Sequence, residues 1–551
     1  MKRINLLLLP IMLLPIMLLI FSCGNRENAD LLVYNATIYT VDSSFSTTEA
    51  MVIKDGKILA TGTKAELEKK YNAAGQTDAQ GKFIYPGLID AHAHFVGYGT
   101  GLQTVDLTGT ESWNDIITRV TNFAKESPKD QWIIGRGWDQ NDWPIKEFPT
   151  NEALNRLFPD QPVLLTRVDG HAAIANQKAL DAAGVKAGDK LTGGEVETSN
   201  GKLTGILVDN AVDLVSAKIP SLTPSQLREA LLDAQRNCFA AGLTTIDDCG
   251  INAPETELIR QMQDSNQLKM RLYVMLSDNK SNYDYLDKKG IIKTDRLHVR
   301  AFKVYGDGAL GSRGACLLQP YTDKPGHHGF LLSDPAHFDS VANWIAQRNF
   351  QMCTHAIGDS GNRTILSIYN KYLEGKNDRR WRIEHAQVIN AADFGLFGKA
   401  SIVPSVQPTH ATSDMYWAEQ RLGADRVKGA YAYKQLLEQN GWLPLGTDFP
   451  VEDISPFKTF YAAVIRKDAK GWPQNGYQVE NALSREQALR GMTIWAARAN
   501  FEEKEKGSLE PGKFADFIIL DRDLLKAPEN ELLEAKVLET FVNGESVYKK
   551  R

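Results

Sequence analysis

At 551 residues the chain exceeds one average domain, and its length suits one large α/β barrel with attachments. An apolar fraction of 43% and a charged fraction of 24% are ordinary for a globular protein with a substantial core. A net charge of −5, with no basic patch and no Gly-rich phosphate loop, argues against a nucleic-acid partner or a nucleotide cofactor.

Residues 1–22 read as a signal segment outside the fold. Lys2 and Arg3 give a basic start, and Ile4 to Phe21 is apolar apart from Asn5. Leu19-Ile-Phe-Ser-Cys23 resembles a bacterial lipobox, in which cleavage leaves Cys23 as the acylated first residue. An uncleaved membrane anchor is the competing reading, weakened by Pro10 and Pro15. Acyl chains on Cys23 would make the lipid bilayer a partner. By resemblance to other lipoproteins, Gly24 points to export and anchoring at the outer membrane. Cysteines 238, 249, 316 and 353 fit no zinc-finger spacing and read as free buried thiols.

Residues 31–62 are β-rich, with Asp55-Gly56 as a hairpin signal. A short helix over Lys64 to Tyr71 leads to Phe83-Ile-Tyr-Pro-Gly-Leu-Ile-Asp-Ala-His-Ala-His94, an apolar run ending in two histidines. Seven more short strands follow, at 243–247, 270–276, 299–305, 351–355, 382–385, 402–406 and 443–448. Helical patterns fill most gaps, at 224–241, 338–348 and 361–373. Eight β/α alternations predict a TIM (β/α)8 barrel over 83–500. The gap of about 100–240 is too long for one connection. Its strands Trp132-Ile-Ile-Gly135 and Pro162-Val-Leu-Leu-Thr166 predict an inserted subdomain beside the barrel mouth. At the far end, Pro511 to Asp521 and a hairpin around Asn543-Gly544 are again β-rich. Residues 23–82 and 501–551 are therefore expected to pair into one small β-sandwich.

The chemistry concentrates at strand ends. Alternate side chains of a strand point the same way, so His92 and His94 can face one point. His355 and His385 end the fifth and sixth strands, Asp448 ends the eighth, and Lys303 lies in the fourth. The carboxyl ends of barrel strands are where such folds keep their active sites. Imidazoles and a carboxylate converging there suit zinc or a similar divalent ion.

With these motifs in place, the chain resembles the amidohydrolase superfamily, in the branch that contains N-substituted formamide deformylase. Pro86-Gly-Leu-Ile-Asp-Ala-His-Ala-His94, Gly135-Arg-Gly-Trp-Asp139, Asp169-Gly-His171, Lys303-Val-Tyr-Gly-Asp-Gly-Ala-Leu-Gly-Ser-Arg313, Thr354-His-Ala-Ile-Gly-Asp359, Arg382-Ile-Glu-His385 and Gly446-Thr-Asp448 carry the resemblance. It implies one metal held by His92, His94 and Asp448, and a second held by His355 and His385. Lys303 would bridge the two as a carbamate (N6-carboxylysine). From the residues alone, Lys303 could instead be a cation paired to Asp307 or Asp359 beside a single ion. Asp448 is the expected catalytic proton shuttle, taking a proton from water acidified by the metal and giving it to the leaving nitrogen. Trp138, Asp139, His171, Arg313 and His410 occupy positions that line the substrate pocket in the family, and Asp90 is a candidate orienter of the histidines. The expected activity is metal-dependent hydrolysis of a non-peptide carbon–nitrogen bond in a small molecule. A cyclic-amide, carbamate or N-acyl-amino-acid hydrolase on the same scaffold is the alternative. A lipid-anchored binding protein without catalysis is a third reading, and homo-oligomerisation is left open.

Overall fold

The computed structural model describes residues 26–551 apart from Ser127, Lys129 and Asp130. The expected signal segment and the Cys23 lipidation site lie outside the described residues. Among the described residues, no helix is long and apolar enough to cross a membrane.

Both chain ends build one eight-stranded sheet. Tyr71–Pro86 runs parallel to Glu27–Tyr39 on one side and antiparallel to Phe517–Leu520 on the other. The helix Lys64–Lys70 that precedes it starts on a capping box, in which the Thr63 and Glu66 side chains each satisfy the other's backbone N–H. Expected as a single run, Phe83 to His94 is divided between two sheets. Phe83 to Pro86 pairs with the C-terminal strand, and only Leu88–Ala93 enters the barrel. Pro86-Gly87 marks the switch, and the terminal sheet therefore reaches beyond the break expected at residue 82.

Seven parallel barrel strands follow in ladder order: Leu88–Ala93, Leu243–Ile251, Arg271–Ser277, Leu297–Tyr305, Gln351–Ala356, Arg382–His385 and Val403–Ser405. The eighth segment, 443–448, is not a regular strand but fills the eighth place. Val406 N–H donates to Pro444 O (3.2 Å) and Gly446 N–H donates to Val406 O (3.1 Å). On its other edge Ala91 N–H donates to Leu445 O (3.2 Å) and Asp448 N–H to His92 O (2.8 Å). Pro444 has no N–H for a ladder, and Gly446 lies so close to the first strand that a Cβ would stand 2.5 Å from His92 N. Those two residues explain why the barrel closes through an irregular segment.

The long gap holds a six-stranded sheet with its own core, including Trp138, Trp143, Leu165 and Ile174. Its last strand, Lys202–Asp209, ends well before residue 240. The helix Pro224–Ala240 belongs to the barrel layer, because Leu231, Ala234, Cys238 and Phe239 pack into the barrel core with Phe95 and Leu243. Thr223 and Gln226 cap that helix reciprocally, and Pro224 occupies its first turn. The four cysteines at 238, 249, 316 and 353 are free thiols, Cys316 alone being partly exposed.

Candidate metal centre

At the carboxyl end of the barrel, rings from four segments meet in a chain. His92 stands 4.7 Å from His385, His385 4.6 Å from His355, and His355 4.9 Å from His171, measured between ring centroids. His94 and His410 flank the chain, each 5.7 Å from its neighbour, His92 and His385 respectively. Asp448 reaches into the middle. Its Oδ1 is 3.1 Å from His94 Nε2 and 3.7 Å from His92 Nε2, and its Oδ2 is 3.4 Å from His410 Nε2.

Regular strand alternation would send Glu384 and His385 to opposite faces. His385 escapes it by taking a left-handed backbone (φ 71°), and Asp448 does the same on the closing segment (φ 66°). Neither residue is glycine, so each conformation costs about 1–3 kcal/mol and persists because the surroundings hold it.

Most of the imidazoles are held by their outer nitrogen. His92 Nδ1–H donates to Glu384 Oε2 (2.5 Å), His94 Nδ1–H to Cys249 O (3.0 Å) and His385 Nδ1–H to Gln407 Oε1 (2.7 Å). That fixes each tautomer and leaves Nε2 as a lone-pair donor, the arrangement by which metal ligands are oriented. Burial, with Lys303 beside it, pushes the His92 imidazole down to about 4. Burial and the neighbouring imidazoles hold His355 and His385 well below the usual histidine range as well. All three are neutral at pH 7, as ligation requires. Burial works against the Asp448 charge, but the surrounding His94, His92 and His385 rings hold its carboxyl well below the ordinary range.

The residues fit a divalent ion. His92, His94 and Asp448 bring one donor atom each within 4.8 Å of one another, and so do His385, His410 and Asp448. Asp448 Oδ1 and His410 Nε2 are buried and make no hydrogen bond, which is costly for polar atoms unless something else binds them.

Lys303 lies inside the cluster, 1% exposed, with its Nζ–H donating to His92 Nε2 (3.1 Å). It is not paired to Asp307 or Asp359, the alternative open from sequence. Asp307 accepts backbone N–H groups from Cys316, Ile357 and Gly358, and Asp359 accepts from Leu318. Asp90 is no orienter of a ring. It accepts from the backbone of His92 and from both N–H and Oγ1–H of Thr447, tying the first barrel segment to the last.

The five expected pocket residues divide. His171 and His410 join the ring chain. Trp138 does not: it is fully buried in the core of the inserted sheet, and its Nε1–H is taken by Leu165 O (2.8 Å). Asp139 caps a short 3-10 turn by accepting from Asn141 N–H (2.8 Å) and pairs with Arg167. Arg313 pairs with Asp323 (2.9 Å) and lines a cleft of about 370 Å³ between the insert and the loop after the fourth strand. Three partners went unrecognised in the sequence: Glu384, Gln407 and Asp209, which accepts from His171 Nδ1–H (2.6 Å). Asp209 seats against Gly308, where any Cβ would collide with its carboxylate. The glycines of the Lys303 motif were a visible trace of that approach.

Residues 76–548 match the model of the amidohydrolase family. The chain is 35% identical over 539 residues to the Arabidopsis thaliana protein LONG AFTER FAR-RED 3, covering 94% of this chain and 92% of that one. It is 26% identical over 538 residues to N-substituted formamide deformylase of Arthrobacter pascens, covering 94% and 97%. Among solved structures it resembles an uncharacterized metal-dependent hydrolase of Pyrococcus horikoshii, with a TM-score of 0.74 at 28% identity, covering 91% of this chain and 99% of that one.

Proposed function

The chain belongs to the amidohydrolase family of enzymes acting on carbon–nitrogen bonds, and from that premise we propose that it hydrolyses a small amide- or formamide-type bond outside peptides. The observation that carries this is Asp448: a buried carboxylate among imidazoles fastened by their outer nitrogens, with one oxygen left without a hydrogen bond. The similarity to a formamide deformylase over nearly the whole chain supports the bond type.

His92, His94, His385 and Asp448, with His355 beside them, would hold one or two divalent ions, zinc foremost among them. Such an ion supplies Lewis acidity and lowers the pKa of coordinated water toward ~7. Asp448 accepts the proton of the attacking water, and a C–O bond forms at the carbonyl carbon. As the C–N bond breaks, Asp448 returns the proton to the leaving nitrogen. Lys303 as found donates to His92 Nε2, the atom a metal needs. Reaction of its neutral amine with carbon dioxide gives a carbamate and releases a proton. This replaces the competing donor with an anionic acceptor and frees His92.

The test is Asp448→Asn with metal content and turnover measured together on a panel of formamides and acylated amines. Metal is retained and turnover falls by at least ~10³-fold. Turnover like that of the wild type in the metal-loaded variant would remove Asp448 from this role. Elemental analysis of Lys303→Ala decides the bridge. A fall from about two ions per chain to about one supports carboxylysine, and one ion in both makes Lys303 a structural cation.

We also propose anchoring of the exported enzyme to the cell envelope through acylated Cys23. Cys23→Ser should move the protein from the membrane fraction to the soluble fraction, and an unchanged distribution would reject the anchor.

A further inference from the structure

Arginines are frequent around the barrel mouth, and nearly all are neutralised. Arg167 pairs with Asp139 and Asp169, and Arg313 and Arg421 share Asp323. Arg136 differs. It sits on the strand Ile133–Trp138 of the insert, and among the described residues it makes no ion pair. Its Nη2–H donates to the backbone carbonyl of Val168 (3.1 Å), and its Nε–H is buried with no partner at all. Gly170 packs against the guanidinium, so closely that a Cβ there would stand 3.3 Å from Nη2.

A partly desolvated guanidinium without a carboxylate is costly to keep. Its place explains it. The guanidinium lies on the Val168–Gly170 turn, directly before His171, whose ring stands 4.9 Å from His355 and 6.4 Å from Tyr305. Tyr305 itself stands at the mouth, 36% exposed, 5.6 Å from the His355 ring and beneath the Lys303 amine. Arg136 thus sits on the insert beside the His171 end of the ring chain, with a planar donor fork of the kind that matches a carboxylate. Arg313, expected from the sequence to line the pocket, is already paired with Asp323.

We propose that Arg136 is the specificity residue of this enzyme, binding a carboxylate on the substrate, so that the substrates are amides whose retained portion is anionic. The assignment rests on the hydrolase function above and names the substrate class for the same site. One arginine with no carboxylate of its own selects acids over neutral amides.

The experiment uses the metal-loaded full chain and matched probes: N-formyl and N-acetyl amino acids, each beside its carboxamide. Wild type should favour the acid over the carboxamide by on the order of 100-fold in kcat/KM, and the ratio should collapse toward one in Arg136→Gln. Arg136→Lys, which keeps the charge and loses the fork, should fall between. No preference in wild type, or a preference kept in Arg136→Gln, overturns the assignment while leaving the hydrolase function standing. If wild type hydrolyses none of the pairs, the hydrolase function fails for this range, and calorimetric titration with the same probes decides Arg136 separately. Tighter binding of the acids that is lost in Arg136→Gln supports it. Equal or undetectable binding of acid and carboxamide overturns it.

Discussion

The barrel carries two buried polar clusters, one at its mouth and one beneath, and they are built in opposite ways. Beneath the metal centre, Arg382 Nη1 pairs with Asp247 Oδ2 (2.8 Å), Asn500 Nδ2–H donates to Asp247 Oδ1 (2.5 Å), and Arg382 also donates to Asn500. Lower still, Arg271 holds Asp516 with two donors (2.6 and 2.9 Å) and ties the barrel to the terminal sheet. Those charges answer one another. At the mouth the imidazoles are fastened from outside, while Asp448 Oδ1 and His410 Nε2 are buried and make no hydrogen bond. Arg382 Nε–H has no partner, yet each charge of the lower cluster meets an opposite charge and holds the fold; at the mouth the unpartnered atoms lie among converging donor atoms and suit an ion.

That contrast breaks most sharply on stability. Removing Arg382 leaves Asp247 buried and unpaired, so Arg382→Ala should lose about 3–5 kcal/mol of folding stability, with or without metal. His385→Ala in metal-free protein removes a neutral buried ring and the donor to Gln407 Oε1 but strands no charge, so it should cost less, about 1–3 kcal/mol. If the two variants destabilise the metal-free chain equally, the mouth is a structural cluster as well.

Metal itself sharpens the comparison. An ion that binds only the folded chain stabilises it by RT ln(1 + [L]/Kd), about 2.7 kcal/mol at one hundred times Kd. Chelation should lower the melting temperature of wild type accordingly and leave that of His385→Ala nearly unmoved. A chelator effect of the same size in both would place the ion elsewhere. Glu384 tests the link between the clusters, because its carboxylate fixes His92 from the side nearer Arg382. Glu384→Gln should weaken metal affinity by about 10–100-fold, read by competition with a chromogenic chelator. Unchanged affinity would mean that His92 needs no orienting partner.

What could be read from the sequence follows the same division. His92, His94, His355, His385 and Asp448 were legible because each interrupts an apolar strand close to a turn, and the barrel because helix and strand patterns alternate. Glu384 was not legible as a partner of His92, since the two are 292 residues apart and meet only across the closed barrel. Residues 443–448 were legible as the eighth segment but not as an irregular one: Pro444 was in view, but the close approach of Gly446 to His92 exists only in the closed barrel. Arg136 lay inside a motif already singled out. Nothing local distinguishes an arginine awaiting a carboxylate from Arg167, thirty-one positions on, which has two.

The smallest expected effect tests the reassignment of Trp138. From the sequence it was expected to wall the substrate pocket; in the fold its ring packs on Trp143 and Phe148, 6.0 and 6.2 Å away, inside the core of the insert. Trp138→Phe deletes the donor to Leu165 O and leaves that buried carbonyl without its partner, together with a small void. Such a loss costs about 1–3 kcal/mol, seen as a lower melting temperature. KM and kcat should both remain within about twofold of wild type, since no atom of Trp138 is accessible to a substrate. A rise in KM with unchanged melting would reverse the reassignment and return the ring to the pocket wall. The insert would then be reading substrate through its apolar core as well as through Arg136.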